Sequence, residues 1–346
     1  MSPAVPLPRH GRWWPTGCLC ALAALLLCLV LSVVVGSVPI APQAAFSALL
    51  HPGASDDPVA TILWRIRLPR TLLAGIVGGC LALAGLGFQA ISRNPLADPS
   101  VLGVSSGASF GVTIAMLLGI AGPTANPVLL MGFAFAGALL AAVSVYCVAR
   151  VDGRLPMTTL LLSGVIIGLF FTSCVMLITV LLAAAELQGV VMWLMGNLGP
   201  TNGETLAVLA VVAVTGALVL ARQAAPLNLL ALGEEQALQL GVEAERVKRT
   251  VFVVASLTTG AAISAAGSIG FVGLIVPNAA RLLLGPDNRH LVPASVLFGA
   301  TFLILADLVA RTVAAPTELP VGVITSFCGA PLFVYLLRRR QGEAPA

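Results

Sequence analysis

Apolar runs of about twenty residues recur along almost the whole chain, and they constrain its fold more than any other feature. Hydrophobic residues make up 58% of the sequence and charged residues only 9%, whereas soluble domains contain about 25% charged residues. So few charges cannot cover the surface of a soluble fold, but a protein whose outer surface meets lipid needs few of them. The sequence therefore predicts an integral membrane protein and excludes a soluble domain.

A helix needs about 20 predominantly apolar residues to cross a bilayer, and ten candidates can be placed along the chain. They are 17–38, 68–91, 100–119, 127–149, 158–182, 204–222, 250–268, 271–284, 291–310 and 320–337. The third and the eighth are short or interrupted by Gly and Pro, as is usual where backbone lines a cavity. The predicted fold is all-α, with about ten transmembrane helices in a single domain over residues 17–340, between tails at 1–16 and 341–346.

The first apolar run has the flanking charges of a signal peptide, because Arg9 and Arg12 precede it. It extends over 22 residues, from Gly17 to Val38, which exceeds the roughly 7–15 residues of a signal-peptide core. No clear A-x-A cleavage site follows it. We therefore expect an uncleaved first helix.

The distribution of Lys and Arg predicts the orientation, because cytoplasmic loops carry an excess of both. With the N-terminus inside and ten crossings, fourteen of the 18 basic residues fall on the cytoplasmic side. Both termini are thus predicted to be cytoplasmic. The four outer arginines are Arg65, Arg67, Arg70 and Arg311.

The sequence also contains a weak internal repeat. The pair Arg70-Thr71 opens the second predicted helix and Arg249-Thr250 opens the seventh, while Ala84-Gly85 and Ala266-Gly267 follow at similar depth. The two helices cross in opposite directions, as an inverted repeat requires.

The longest polar stretch inside the chain is residues 233–249, between the sixth and seventh helices. Ala, Leu, Gln and Glu on either side of Gly241 favour two short helices joined by a glycine turn. Composition alone leaves a solvated loop as an equal alternative.

Three stretches of the chain match a known pattern: residues 67–111, 232–242 and 270–340. They contain the motifs RLPRT, NPLADP, LGVSSGA, LGEEQALQLGV, ADLVAR and ELPVG. In order and spacing they resemble the permease subunits of ABC importers for iron-siderophores, heme and cobalamin. The resemblance covers nearly the whole chain apart from the first helix and both tails.

The resemblance implies a type II ABC importer permease that forms a homodimer in the bacterial cytoplasmic (inner) membrane. Two ATP-binding subunits would dock on the cytoplasmic side, and a substrate-binding protein on the outer, periplasmic side. The sequence has no G-x-x-x-x-G-K-[ST] phosphate loop, so ATP and Mg would be used by the partner ATPase. The chain is expected to be a transport subunit and not an enzyme, with no cofactor, metal or nucleic acid of its own.

The resemblance also assigns roles to individual residues on the cytoplasmic side. Residues 233–249 match the coupling helices that pass closure of the ATPase to the membrane. The match is carried by Gly233, Glu234, Glu235, Ala237 and Gly241.

An inner gate is implied at NPLADP and at the start of the fifth helix. Its aligned positions are Asn94, Leu96, Met157 and Thr158. Met157 departs from the small hydroxylic residues of the family, which puts its role in doubt. The alternative for NPLADP is a tight loop without a gating role.

On the outer side, the resemblance implies that Arg67, Arg70 and Arg311 pair with acidic residues of the binding protein. The alternative is that they anchor helix ends at the interface and extend to water. Asp307 lies one helical turn before Arg311, where it either holds the arginine in place for docking or forms a purely structural pair with it.

One residue departs from the family where the function could depend on it. Asn278 follows the proline of GFVGLIVP, where the family usually has His. Asn does not change charge near neutral pH, so we expect it to bond a carbonyl of a broken helix.

The cargo is the least constrained property. None of the three histidines, His10, His51 and His290, lies within a predicted span, so no imidazole ladder for heme iron is predicted. Methionines and the seven cysteines are expected to be packing residues. Ferric siderophore is ranked first as the commonest cargo of the family, heme second and cobalamin third.

Two other functional classes make different demands on the sequence. An ion-coupled secondary transporter usually carries intramembrane acids, and Asp307 is the one acid clearly within a predicted span. An intramembrane enzyme would need paired Asp, Ser with His, or His-Glu-x-x-His, and the sequence contains none of these sets in a span.

Overall fold

The structure is a computed structural model that describes residues 14–38, 40–41, 43–44, 47–48, 57–120 and 127–342. Arg9, Arg12, His10 and His51 lie outside these residues, as does most of each predicted tail.

The described chain is helical, with one isolated bridge between Val151 and Arg154. The helices are α1 (Trp14–Val34), α2 (Pro58–Ser92), α3 (Val104–Leu117), α4 (Pro127–Ala149), α5 (Met157–Thr179), α6 (Ala184–Leu194), α7 (Gly203–Leu230), α8 (Glu234–Gln239), α9 (Ala244–Ala266), α10 (Val272–Leu284), α11 (Asn288–Thr312) and α12 (Val321–Gly342).

All ten predicted spans coincide with helices. Within the described ranges, seven helices are long and apolar enough to cross a membrane. The third and eighth spans are short, as predicted, because α3 is preceded by the 3₁₀ turn Pro99–Leu102 and α10 begins only at Val272. The sequence analysis missed α6, whose 11 residues are too few to cross a bilayer.

Several helix boundaries differ from the predictions; α7, for example, ends at Leu230 and not at residue 222. Helix α2 begins ten residues before the predicted start, through a π-helical segment at Ile62–Arg67. The predicted second short helix after Gly241 is wrong, because those residues are the first turns of α9. No Gly or Pro interrupts the chain between Ala244 and Gly260, so helix continues from the polar stretch into the membrane.

Helix α2 lies at the centre of the subunit. In its most apolar stretch 83% of the residues are buried, compared with 17% in α7. Glycines let the neighbouring helices approach its backbone: Gly78 contacts Gly299 of α11, and Gly85 contacts Gly273 of α10. A Cβ atom at either α2 position would clash with a backbone carbonyl.

The packing supports the inverted repeat. Helix α2 packs against α10 and α11, and its counterpart α9 packs against α3 and α4. The close approach of Gly78 to α11 has an equivalent at Gly260, which meets Ala138 of α4. The chain therefore repeats one arrangement of a buried helix, a short helix and a long helix.

We expect Gly85→Ala to destabilise the subunit, because its methyl group would overlap the backbone of Gly273. Overpacking of this kind lowers the melting temperature of the purified protein by about 5 °C or more. Gly132→Ala is the matched control, since Gly132 is also helical but has open space beside it. Equal melting temperatures for the two variants would contradict the close contact.

Candidate functional site

The outer ends of α2 and α11 enclose a cluster of charged groups. Arg70 donates from Nε and Nη2 to Oδ1 of Asp307, at 3.1 and 3.0 Å. The Nε atom of Arg311 lies 2.9 Å from Oδ2 of the same carboxylate, one turn away along α11. The Asp307 side chain is fully buried, so its charge is compensated within the protein, as a buried carboxylate requires.

Helix α1 is bound to this cluster through its C-terminal end. Arg67 donates to the carbonyl oxygens of Val34 at 2.6 Å and Val38 at 2.5 Å. The last carbonyls of a helix have no partner within it, so the guanidinium caps α1 at Val34, while Val38 lies beyond the end of the helix. Arg311 donates to the Ser32 hydroxyl at 2.7 Å.

The structure corrects the outer-surface placement of two predicted docking residues. Arg67 is 4% exposed and Arg311 is 3% exposed, because both guanidinium groups are used by the first helix and Asp307. Their pairing with a binding protein stays a prediction. Of the four outer arginines, Arg65 is the exposed one, although the sequence analysis ranked it below the others.

Glu318 is the part of the cluster that reaches the surface, and the sequence analysis missed it. Its Oε2 accepts from Nη1 of Arg70 at 2.6 Å, and its side chain is 38% exposed. Partial burial raises the pKa of Glu318, but the hydrogen bond and charge of Arg70 outweigh this, so its pKa lies below the ordinary value. The sequence feature that could have identified Glu318 is its position as an acidic residue in the loop before the last helix, on the same side as the outer arginines.

At the cytoplasmic end, the predicted gate loop has a defined shape. Arg93 ends α2 in the left-handed conformation, with φ of 51°. Oδ1 of Asn94 accepts from the amide of Leu96 at 3.0 Å, and Asp98 caps the 3₁₀ turn through the amide of Ser100 at 2.8 Å. Asn94 is exposed and Leu96 is half-buried.

The second gate element begins α5. Thr158 is exposed, and Met157 packs partly buried against the main core. Helix α5 meets the turn that follows the gate loop through Gly164, which contacts the backbone of Val101 and Leu102. This approach is one of backbone with backbone, and it lies further along α5 than Met157 and Thr158.

The prediction for Asn278 is confirmed. Its Nδ2 donates to the carbonyl of Leu274 at 2.7 Å and to that of Pro95 at 2.8 Å. The amide thus joins the helix that contains Pro277 to the gate loop.

Helix α8 forms a short projection between two glycines with positive φ, Gly233 at 129° and Gly241 at 81°. Ala237 is fully buried, so it packs against the subunit and is not available for contact with a partner. Leu238 and Leu240 are exposed by 67% and 61%. The sequence analysis did not single out these leucines, since helical period alone does not show which face of so short a helix is covered.

Buried Lys248 holds the base of this projection. Its Nζ lies 2.8 Å from Oε1 of Glu234 and 3.0 Å from Oε1 of Glu245. The other Glu245 oxygen accepts from the amide of Leu155, before α5, at 2.7 Å. Glu234 therefore fixes α8 to the subunit, and Glu235 remains exposed.

The model of the FecCD transport family matches residues 24–339. The chain belongs to the FecCD transport family. It is 45% identical over 300 residues to the cobalamin import system permease protein BtuC of Halobacterium salinarum, covering 87% of this chain and 79% of that protein. It is 36% identical over 323 residues to the hemin transport system permease protein HmuU of Yersinia pestis, covering 92% and 95%.

A solved inward-facing structure, assigned to the metal-chelate type of ABC transporters, has the same fold. The TM-score is 0.80 at 30% identity, and the match covers 94% of this chain and 99% of the other. This FecCD-family permease is therefore a multi-pass inner-membrane protein with the type II importer fold.

We expect Asp307→Asn to destabilise the permease, because it leaves buried Arg311 without a compensating charge and leaves Arg70 with Glu318 alone. Breaking a buried pair in this way costs on the order of 3 kcal/mol. Glu318→Gln is the matched control, since it removes a partly exposed charge whose pair contributes less than about 1 kcal/mol. Thermal unfolding in detergent measures both, and a loss for Glu318→Gln as large as that for Asp307→Asn would contradict this account.

Proposed function

We propose that this permease is the membrane subunit of an ATP-driven importer for a metal chelate. It works as a homodimer with two separate ATP-binding subunits and an outer substrate-binding protein. The single observation that carries the proposal is the family match over residues 24–339. The helical projection on the cytoplasmic side and the charged cluster on the outer side supply two surfaces of the kind such partners need.

An ion-coupled mechanism has little support from the charges. Asp307, the intramembrane acid that such a mechanism would use, is held by Arg70 and Arg311. A relay carboxylate must be free to exchange a proton, whereas both oxygens of this one are held in ion pairs with arginines of α2 and α11. We therefore assign the energy that drives transport to ATP hydrolysis by a separate ATPase subunit.

The proposed ATPase contact is the exposed side of α8 with the turn that follows it. The two exposed leucines, Leu238 and Leu240, supply apolar area on an otherwise polar projection. Glu234, Ala237 and Lys248 hold the projection rigid from beneath. A rigid projection can pass a movement of the ATPase to α9, since α9 begins at Ala244, three residues after Gly241.

We expect Leu238→Glu to weaken assembly with the cognate ATPase by about tenfold, the loss expected for one well-placed apolar contact. Gln236→Glu is the matched control, because it adds a charge at an exposed position of the same helix. Binding to the permease in nanodiscs measures the effect. Equal affinities of the two variants for the ATPase would contradict the proposed contact between Leu238 and the ATPase.

The proposed docking surface for the binding protein is the outer end of α2. Arg65 is exposed there, and the Arg70 side chain is 13% exposed beside Glu318. Arg67 and Arg311 support this surface from inside by fixing α1 and α11.

We expect Arg65→Glu to slow association of the binding protein, most strongly at low salt, because charge steers the encounter. Arg222→Glu on the cytoplasmic side is the control. Association rates from surface plasmon resonance that are unchanged at low salt would exclude docking at this end of α2.

Two observations bear on the cargo. The 45% identity to a cobalamin import permease favours cobalamin, which the sequence analysis ranked third, over heme and ferric siderophore. A cavity of about 400 Å³ between α3, α5 and α6 is lined half by hydroxylic side chains, including Ser105, Ser106 and Thr172, and half by apolar ones, including Val175, Leu187 and Val191. None of the lining residues is charged, which suits passage of an uncharged or bulky chelate without tight binding.

Uptake by the reconstituted importer separates the three candidates. Radiolabelled cyanocobalamin is predicted to enter vesicles, with unlabelled hemin and a ferric siderophore as competitors. Uptake of labelled ferric siderophore or hemin, with no entry of cyanocobalamin, would reject the cobalamin assignment while leaving the importer assignment intact.

A further inference from the structure

Helix α10 contains a proline at a position where the helix needs a donor. Pro277 has no N–H, so the carbonyl four residues earlier, that of Gly273, loses its helical partner. Nε2 of Gln89, on α2, donates to this carbonyl at 3.1 Å. Gln89 is 3% exposed, so the bond is made inside the protein, where an unpaired carbonyl is costly.

The other end of the same amide continues the hydrogen bonding. Oε1 of Gln89 accepts from both terminal nitrogens of Arg281, each at 3.3 Å. Arg281 also donates to Oδ1 of Asn278 at 3.0 Å. Nδ2 of Asn278 donates to the carbonyl of Pro95. A continuous chain of hydrogen bonds therefore runs to the gate loop from the Gly273 carbonyl, where Pro277 leaves the helix without a donor (the proline gap).

The chain of bonds fixes the orientation of both amides. Gln89 must present its nitrogen to a carbonyl and its oxygen to a guanidinium, and Asn278 must do the same. On the other side of the loop, Nη2 of Arg93 lies 3.9 Å from Oε1 of Glu234 of α8, in an exposed ion pair. Residues 93–95 thus lie between the projection α8 and the interrupted helix α10.

We propose that Gln89, Arg281 and Asn278 are positioning residues that fix the cytoplasmic loop 94–98 to the proline gap of α10. The carbonyl that Pro277 leaves free is the anchor of this connection. The role of this loop as an inner gate rests on the proposed function. Its attachment by these three side chains does not depend on that function.

The anchor is tested by a double-mutant cycle in which Pro277→Ala supplies the missing N–H. Amide hydrogen exchange of residues 92–102 in the purified permease measures attachment of the loop. Gln89→Leu is expected to speed this exchange about tenfold in the natural background, the effect of losing one hydrogen bond of ordinary strength. In the Pro277→Ala background the effect is expected to fall below about threefold, because the helix then bonds its own carbonyl.

A general packing role for Gln89 would give the same acceleration in both backgrounds, and that result would overturn the proposal. Asn202→Ala is the control for loss of an amide at the opposite membrane face, where Asn202 caps α7. It is expected to leave exchange of residues 92–102 unchanged. Acceleration by Asn202→Ala as large as that by Gln89→Leu would equally overturn the attachment.

The second link is tested at Asn278. Asn278→Ala removes the donor to Pro95 and is expected to free the loop, whereas Asn278→His retains a ring N–H donor and is expected to restore protection. In the assembled importer, Asn278→Ala is also expected to raise ATP hydrolysis in the absence of cargo, and Asn278→His to reverse this. Failure of the histidine to restore loop protection would overturn the role of the donor. Restored protection without any change in hydrolysis would retain the attachment and reject the gating function.

Discussion

The carboxylate of Asp307 lies between the guanidinium groups of Arg70 and Arg311, and three helices depend on that arrangement. It brings the outer ends of α2 and α11 together, and Arg311 extends the cluster to Ser32 of α1. The Asp307 side chain is fully buried, so its charge must find partners within the protein. The first helix, which is otherwise 22% buried over its most apolar stretch, is thereby held to the domain.

At the cytoplasmic end of α2, a buried polar group must likewise find a partner within the protein, but here the group is an uncharged backbone carbonyl. Pro277 leaves a carbonyl unpaired, and Gln89 on the neighbouring helix supplies the donor. Close packing of α2 against α10 at Gly85 makes this reach possible, because it brings the two backbones together. A buried central helix with glycines on its faces thus supports an ionic cluster at one end and an amide network at the other.

The spans were predictable because each is long and apolar, and the short third and eighth helices because Gly and Pro interrupt them. Asn278 was predictable as well, since an amide after a helical proline has a nearby carbonyl to satisfy. The burial of Arg67 was not, because the sequence does not show that α1 ends beside it. The role of Gln89 depends on a contact across 184 residues, which no local pattern reveals. Ala237 was correctly predicted to lie in a short helix, but the sequence did not show that it lies on the buried face of that helix.

The central claim is that this permease moves its cargo only with energy from a separate ATPase. Reconstitution in vesicles with the cognate ATPase and binding protein tests it most directly, with cyanocobalamin, hemin and a ferric siderophore each supplied as cargo. Uptake of one of them is predicted to require ATP on the cytoplasmic side and to stop when the ATPase is omitted. Uptake by the permease alone under an imposed proton or sodium gradient would contradict the account.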